Sequence, residues 1–318
     1  MTTGHYPVML KEAVEALSLS GGDTVVDATF GGGGHARRIL RELGPEGRVI
    51  GIDRDPEAAG RALRLAEEDP RFTFRPGAYD EVLWNLVGEG AKVDTVLFDL
   101  GLSSYQIDEA ARGFSYVREG PLDMRMDPER GESAADFLNA AGRTKIAEVL
   151  VRYGDVPRGE ARRVAMKIVR RRPLGTTLEL SEVVRSAVGW KERGGNPAKR
   201  VFQAIRVYVN DELGSLERAL AAVERLLVPG GRLVAITFHS GEDRVVKRFI
   251  SERTGRCVCP PELPVCACGA RPVFRKGIVR KPSVQEIEEN PRSASARLRS
   301  AVRTSEPLEA AMLPKETS

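Results

Sequence analysis

The sequence predicts an α/β protein in which a long, mostly helical segment interrupts a parallel sheet. A short strand runs into a glycine-rich turn over 24–35, and a second strand ends in an acid at Asp53. About 100 residues then separate the fourth predicted strand from the next helix–strand pair, whereas such connections usually take about 2–6 residues. These observations together indicate a nucleotide-binding type of α/β domain that carries an insertion.

The stretch Thr24–His35, TVVDATFGGGGH, carries the first part of the nucleotide-binding pattern. Its opening β-branched residues are typical of a buried strand. Four consecutive glycines, Gly31–Gly34, allow positive φ angles and a close approach to a ligand. The helix predicted to follow would point its N-terminus at that ligand. The spacing fits a loose dinucleotide fingerprint, so NAD, another adenosine ligand and a ligand-free surface turn all stay open.

The next strands also end at residues suited to a binding site. Arg48–Asp53 ends in an acid placed to bind ribose hydroxyls. A strand over 71–74 leads into a loop with Tyr79, which would either stack on a base or fill the core. Val93–Leu100 is apolar almost throughout, as expected of a strand buried on both faces, and places Asp99 at its end. The alternative role for Asp99 is a helix cap.

The interrupted order defines the expected insertion, residues 108–205. The sheet pattern resumes only with a helix over Glu212–Leu227 and a strand over Arg232–Phe238. Within the insertion, helical spacing occurs at 134–138, 145–153, 158–171 and 177–188. Between residues 152 and 206 there are 14 Lys/Arg and 5 Asp/Glu, although the whole chain has a net charge of only +4. This asymmetry predicts a polyanionic partner bound to the insertion, with a merely solvated face as the alternative.

Composition gives the broad class of protein. Hydrophobic residues make up 42% of the sequence and charged residues 30%, as in ordinary globular proteins. The apolar runs are far shorter than the roughly 20 residues of a membrane span. The first residues also lack the pattern of a secretory signal. We therefore expect a cytoplasmic protein with no membrane partner.

The cysteines fall in one short segment as two CxC pairs, Cys257/Cys259 and Cys266/Cys268. Four thiolates could close a structural zinc site. The spacing differs from the CxxC pairs that identify zinc sites most strongly. Free thiols and disulfides therefore remain alternatives, and the sequence does not decide whether a metal binds.

Several motifs taken together resemble one known family. They are DATFGGGGH, GIDRDP, FDLGLSSYQID, RGFSY, GPLDMRMDP, FQAIRVYVNDEL, FHSGEDRVVKRF and ENPRS. In this order they are similar to those of the bacterial ribosomal RNA small-subunit methyltransferase H family, also called MraW. The resemblance runs from His5 to about Arg299. It implies a Rossmann-like class I methyltransferase domain with a helical insert, S-adenosylmethionine as cofactor, and methylation of cytidine N4 in the decoding centre (P site) of 16S rRNA in the small ribosomal subunit.

The resemblance also implies site residues. It places cofactor contacts at Gly33, Gly34 and His35 in the loop, at Asp53 on the ribose, at Tyr79 near the adenine, and at Asp99 with Gln106 after the fourth strand. Asp99 is the first candidate for a catalytic acceptor of an N4–H proton, because it lies at the strand end where the methyl group is delivered. Ser103 and His239 are weaker candidates.

The predicted organisation has four parts. They are a first methyltransferase part (1–107), the basic helical insertion (108–205), a second methyltransferase part with the cysteine-containing basic tail (206–304), and a disordered end (305–318). An NAD-dependent oxidoreductase and a non-catalytic rRNA-binding assembly factor are the alternative functions. The oligomeric state stays open, a homodimer included.

Overall fold

A computed structural model describes residues 7–189, 196–255 and 271–307 of the 318-residue chain. The chain divides into two units, which we call unit 1 (Met1–Gly101 with Ser215–Ser318) and unit 2 (Leu102–Gly214). The four cysteines of the CxC pairs lie outside the described residues, as do most residues of the expected disordered end. No helix among the described residues has both the length and the apolar character needed to span a membrane.

The described residues of unit 1 form a seven-stranded sheet. Its strands are β1 (Thr24–Asp27), β2 (Arg48–Asp53), β3 (Phe72–Pro76), β4 (Val93–Asp99), β5 (Leu227–Thr237), β6 (Phe274–Arg280) and β7 (Arg297–Arg303). The strand order is β3-β2-β1-β4-β5-β7-β6. The first five strands are parallel, whereas β7 runs antiparallel to both β5 and β6. The structure confirms the predicted α/β class and a Rossmann-like sheet.

The helices of the described residues alternate with the strands in unit 1 and follow one another in unit 2. They are α1 (Leu10–Leu17), α2 (Gly34–Glu42), α3 (Pro56–Glu68), α4 (Tyr79–Gly88), α5 (Ser104–Asp108), α6 (Ala134–Ala140), α7 (Arg143–Gly154), α8 (Arg158–Arg171), α9 (Thr177–Val188), α10 (Ala198–Val209), α11 (Glu212–Leu226), α12 (Ser240–Arg253) and α13 (Val284–Glu289). Short 3₁₀ turns cover Ala110–Arg112 and Pro291–Ser295.

The topology of unit 1 places a candidate site. The order reverses between β1 and β4, which are neighbours in the sheet although β2 and β3 come between them in sequence. Ligands of open parallel sheets bind at such switch points, outside the carboxyl ends of the strands. Asp27, Asp53 and Asp99 are the last residues of β1, β2 and β4, so three acids lie at this edge.

Two element boundaries differ from the sequence-based prediction by four or more residues. The segment 228–231 was expected to be a turn before the fifth strand, but β5 already begins at Leu227. Leu227 pairs with Val93 and Arg232 with Thr95, so the intervening residues form an irregularity within one continuous strand. The second difference is α12, for which the sequence predicts a helix over Arg244–Arg253, whereas the helix begins at Ser240.

Unit 2 has its own hydrophobic core. Side chains from α6 to α10 fill it, and Leu138, Ile146 and Ile168 are among those fully buried. The bounds of α8 and α9 agree with the helices predicted over 158–171 and 177–188. Helix α8 buries Ala161, Val164, Ala165 and Ile168 and leaves its arginine-rich side towards solvent.

Candidate active site

The glycine run adopts a backbone that other residues would resist. Gly31 and Gly33 have φ angles of +51° and +76°, in the left-handed region that favours glycine. A Cβ at Gly33 would lie 2.7 Å from Cζ of Phe30, and one at Gly34 would overlap Pro7. Gly33 is also the N-cap of α2. The run is therefore fixed by close packing, and it brings the first turn of α2 to the carboxyl edge of the sheet.

Asp53 at the end of β2 ties the glycine loop to the next helix. Its Oδ2 accepts a hydrogen bond from the backbone N of Gly31 at 2.7 Å, and its Oδ1 accepts one from the backbone N of Asp55 at 2.9 Å. Asp55 in turn caps α3 by accepting a hydrogen bond from Glu57 N at 3.0 Å. Burial raises the pKa of the Asp53 carboxyl. The carboxylate keeps further lone pairs for ribose hydroxyl donors.

Asp99 and His35 face each other at the centre of this edge. The Nδ1 atom of His35 lies 3.6 Å from Oδ2 of Asp99. Burial lowers the pKa of His35 to about 4, and a hydrogen bond to the Val8 backbone opposes this only in part. The imidazole is therefore neutral at pH 7. Oδ1 of Asp99 and Nε2 of His35 are buried and have no hydrogen-bond partner in the described structure.

The pKa of Asp99 is raised well above its ordinary value. Burial is the main cause, and the negative charges of Asp27, Glu242 and Glu286 add to it. A carboxyl that holds its proton more tightly than usual is a candidate to exchange a proton with a bound group.

Asp27 is a site residue that the sequence reasoning missed. It is 1% exposed, and its Oδ2 has no hydrogen-bond partner in the described structure. Burial first, and then the charge of Asp53, raises its pKa to about 7. Thr29 connects it to Asp99, because Thr29 N donates to Asp27 Oδ1 at 3.3 Å and Thr29 Oγ1 accepts from Asp99 N at 2.6 Å.

The two remaining predicted cofactor contacts, Tyr79 and Gln106, each lie in the first turn of a helix. Tyr79 was expected in a loop, but it is the first residue of α4, is half-buried, and packs edge-on against Phe98 with ring centroids 5.6 Å apart. Gln106 belongs to unit 2, where it is buried in the first turn of α5. There Gln106 and Ser103 form a capping box, since each side chain accepts from the other residue's backbone N.

His239 likewise caps a helix. Its Nδ1 accepts from the backbone N of Gly241 at 3.2 Å and of Glu242 at 3.4 Å, at the start of α12. The buried Glu242 accepts from the backbone N of Phe238 at 2.7 Å. Ser103 and His239, the two weaker catalytic candidates, therefore both have a structural role that accounts for their position.

The edge of the sheet is suited to a cationic ligand with hydrogen-bond donors. Asp27, Asp53 and Asp99 all have raised pKa values, because burial and neighbouring carboxylates disfavour their charged forms. Two of their buried oxygens have no partner in the described structure. A bound positive charge would stabilise the ionised carboxylates, and donor groups of the same ligand could pair with the two oxygens. The residues present therefore fit a sulfonium-bearing nucleoside.

Comparison with known proteins adds an independent line of evidence. The chain matches the MraW methylase family over residues 2–304. It is 73% identical over 303 residues to the ribosomal RNA small subunit methyltransferase H of Rubrobacter xylanophilus, covering 95% of this chain and 97% of that protein. It is 46% identical over 312 residues to the protein of the same name from Heliobacterium modesticaldum, with 95% and 99% covered. A solved structure of a putative rRNA-methylase from Clostridium thermocellum covers 96% of this chain and 100% of its own, with a TM-score of 0.45 and 13% identity.

Proposed function

The chain belongs to the MraW methylase family, and on that premise we propose that it methylates N4 of a cytidine in the decoding centre (P site) of 16S rRNA. The cofactor is S-adenosylmethionine, which supplies the methyl group as a sulfonium electrophile when bound. The partner is the 16S rRNA of the small ribosomal subunit, and the cytoplasm is where that partner occurs.

One structural observation supports the chemical part of this proposal. The Oδ1 atom of Asp99 is buried without a partner at the carboxyl end of β4, beside the first turn of the helix that follows the glycine loop. A carboxyl group in this position can accept a hydrogen bond from an amine brought to the same edge. Its raised pKa also makes it a better proton acceptor than an ordinary aspartate.

The amine of cytosine requires such help. Its lone pair is delocalised into the ring, so the group is a weak nucleophile. A hydrogen bond from one N4–H to Asp99 would localise the lone pair and hold the amine in line with the methyl carbon. Alignment of reacting atoms is itself a large part of the catalytic effect, because it removes rotational and translational freedom before the reaction. Asp99 would then take the proton that the product amine loses.

The other residues of the edge hold the cofactor in this proposal. Asp53 would accept hydrogen bonds from the ribose hydroxyls, and the loop from Gly33 to His35 would lie against the methionine part. Tyr79, at the start of α4, would contact the adenine. The predicted insertion over 108–205 would bind the RNA.

Family membership favours methyl transfer over the hydride transfer of an NAD-dependent oxidoreductase. A non-catalytic assembly factor would bind rRNA without transferring a methyl group. The decisive experiment is mass mapping of methylated nucleosides in 16S rRNA from cells that lack the protein and from cells complemented with wild type or Asp99→Asn.

We expect N4-methylated cytidine at one decoding-centre position to disappear in the deletion strain and to return only with wild type. Unchanged methylation in the deletion strain would reject the proposal. Full restoration by Asp99→Asn would reject the role assigned to Asp99. Direct cofactor titration of the purified variant separates a loss of binding from a loss of chemistry.

A further inference from the structure

We propose that a groove between α7 and α8 of unit 2 binds the sugar–phosphate backbone of single-stranded RNA. We call it the arginine groove; five arginines line it, namely Arg143, Arg152, Arg158, Arg162 and Arg163. The inference rests on the proposed function in one respect, namely that the substrate is RNA. It adds the specific protein surface that contacts this RNA.

The arginine groove combines positive charge with an apolar floor. Its volume is about 900 Å³, and its lining has five guanidinium groups and one carboxylate, that of Glu148. Ala147, Val151 and Met166 also line it, and each is half-buried. Guanidinium groups match phosphate geometry, whereas an apolar floor accommodates riboses and base faces. A nucleotide chain presents both kinds of surface.

The charges of the arginine groove are not neutralised within the described residues. The side chains of Arg143, Arg158 and Arg162 are exposed and contact no carboxylate there. The other two are held in place by neutral groups: Arg163 Nε donates to Ala187 O at 3.3 Å, and the Arg152 guanidinium lies 5.3 Å from the Tyr153 ring centroid. All five therefore keep their charge available for an anionic ligand.

The dimensions favour a single strand over a duplex. Helices α7 and α8 pack against each other, and their buried residues Ile146, Leu150, Val164 and Ile168 belong to the same hydrophobic core. Axes of packed helices lie about 8–10 Å apart, so a groove between two such helices is narrower than a double helix. A protein that binds duplex RNA instead contacts successive grooves of the duplex, over a much longer surface.

The groove differs from the surface expected from sequence. The charge along α8 in the sequence alone predicts Arg163, Lys167 and Arg171 as a phosphate-binding set, but of these three only Arg163 lines the groove. The other arginines of the lining come from α7 and from the first turns of α8, which tertiary packing brings together. Their side chains contribute nothing to the buried core, so replacing them should leave unit 2 folded.

The test compares two triple charge-reversal variants of the full chain. The groove variant is Arg143→Glu/Arg158→Glu/Arg162→Glu. The matched control is Arg185→Glu/Lys199→Glu/Arg200→Glu, which changes the same total charge at exposed positions of α9 and α10. Binding of a short fluorescein-labelled single-stranded RNA is measured by anisotropy over a range of salt concentrations, beside the duplex of the same sequence. Calorimetry with S-adenosylmethionine checks that each variant is folded.

The slope of log binding constant against log salt concentration is about 0.7 for each phosphate contact of a single strand. We therefore expect the groove variant, which lacks three arginines, to lose about two units of this slope. If wild type and variant bind equally at 1 M salt, a slope difference of about two units gives about a 100-fold lower single-strand affinity for the variant at 0.1 M salt. The control variant should lose clearly less, and cofactor affinity should stay unchanged in both.

Three outcomes would overturn the inference. These are unchanged single-strand binding by the groove variant, equal losses in both variants, and wild-type preference for the duplex. Loss of binding to an acidic ribosomal protein with retained RNA binding would assign the groove to a protein partner and overturn it as well. None of these measurements depends on methyl transfer. RNA binding that requires the groove, in a protein without N4-methylation activity, would therefore reject the proposed function and leave the groove inference standing.

Discussion

The Nδ1 atom of His35 lies 3.6 Å from Oδ2 of Asp99, yet the two groups do not form an ordinary ion pair. Burial lowers the pKa of the imidazole to about 4 and raises that of the carboxyl well above its usual range. Each group is thus shifted towards its neutral form. The carboxyls of Asp99 and Asp27 would favour their ionised forms again beside a positive charge, which a cationic cofactor would supply.

Asp27→Asn should stabilise the ligand-free protein, and the gain should grow with pH. The ordinary carboxyl pKa of 3.8 rises to about 7 in the fold, chiefly through burial. Between these values the unfolded chain ionises Asp27 while the folded chain keeps it protonated, so wild type loses stability as pH rises. Asparagine cannot ionise and escapes this loss. A shift of this size corresponds to at most about 4 kcal/mol.

Urea unfolding of both proteins at a series of pH values measures the difference. The difference should be small below about pH 3, where Asp27 is protonated in both states, and should reach its full value above about pH 7. A difference that is constant across this range would contradict the assigned pKa shift.

The affinity for S-adenosylmethionine should rise with pH. Asp99 and Asp27 hold protons in the ligand-free fold because their pKa values are raised mainly by burial. A sulfonium cation favours their ionised forms, so binding below the raised pKa values must release a proton. Affinity should then increase by up to about tenfold per pH unit for each proton released.

S-adenosylhomocysteine is the matched ligand for this experiment, because its thioether carries no charge at sulfur. Calorimetric titrations of both ligands between about pH 6 and pH 8 should give a steeper profile for the sulfonium compound. Asp99→Asn should flatten that profile. Parallel profiles for the two ligands would place the sulfur away from these acids.

Gly33→Ala should destabilise the protein and weaken cofactor binding. Gly33 has a φ of +76°, and an added Cβ would lie 2.7 Å from Cζ of Phe30. The left-handed conformation alone costs an L-residue about 1–2 kcal/mol, and Phe30 would also have to move. Gly60→Ala in the exposed part of α3 is the control, since a Cβ there meets nothing within 4 Å.

The control should gain roughly 0.5–1 kcal/mol, because alanine is the better helix former. Thermal unfolding and cofactor titration of both variants provide the comparison. Equal stability of the two variants would show that the loop accommodates a side chain at Gly33.

The sequence predicted the elements whose signals are local. Strand β2 and helices α8 and α9 agree with their predicted bounds, because β-branched residues or helical spacing mark them along the chain. The start of β5 was missed since Pro229 and Gly230 indicate a turn, whereas pairing with β4 keeps the strand continuous around an irregularity. Only the neighbouring strand carries that information.

In the candidate site, too, the sequence predicted the residues with local signals and missed one that depends on tertiary packing. Asp53 and Asp99 could be identified from their positions at strand ends. Asp27 has an equivalent position, but its importance depends on burial and on an oxygen without a partner, and both are tertiary properties. The capping box of Ser103 and Gln106, by contrast, was readable from the sequence, since serine followed three residues later by glutamine is a helix-start pattern.

His239→Asn should retain methyl transfer, whereas His239→Ala should lose stability. His239 Nδ1 accepts from the backbone N of Gly241 and Glu242 at the start of α12, and an asparagine oxygen can accept the same hydrogen bonds. Removing the cap with alanine should cost about 1 kcal/mol. Single-turnover methylation assayed well below the unfolding temperature separates the two roles, because a folded alanine variant should then approach wild-type turnover. If both variants bind cofactor normally and remain inactive at that temperature, His239 takes part in the chemistry and its capping role is secondary.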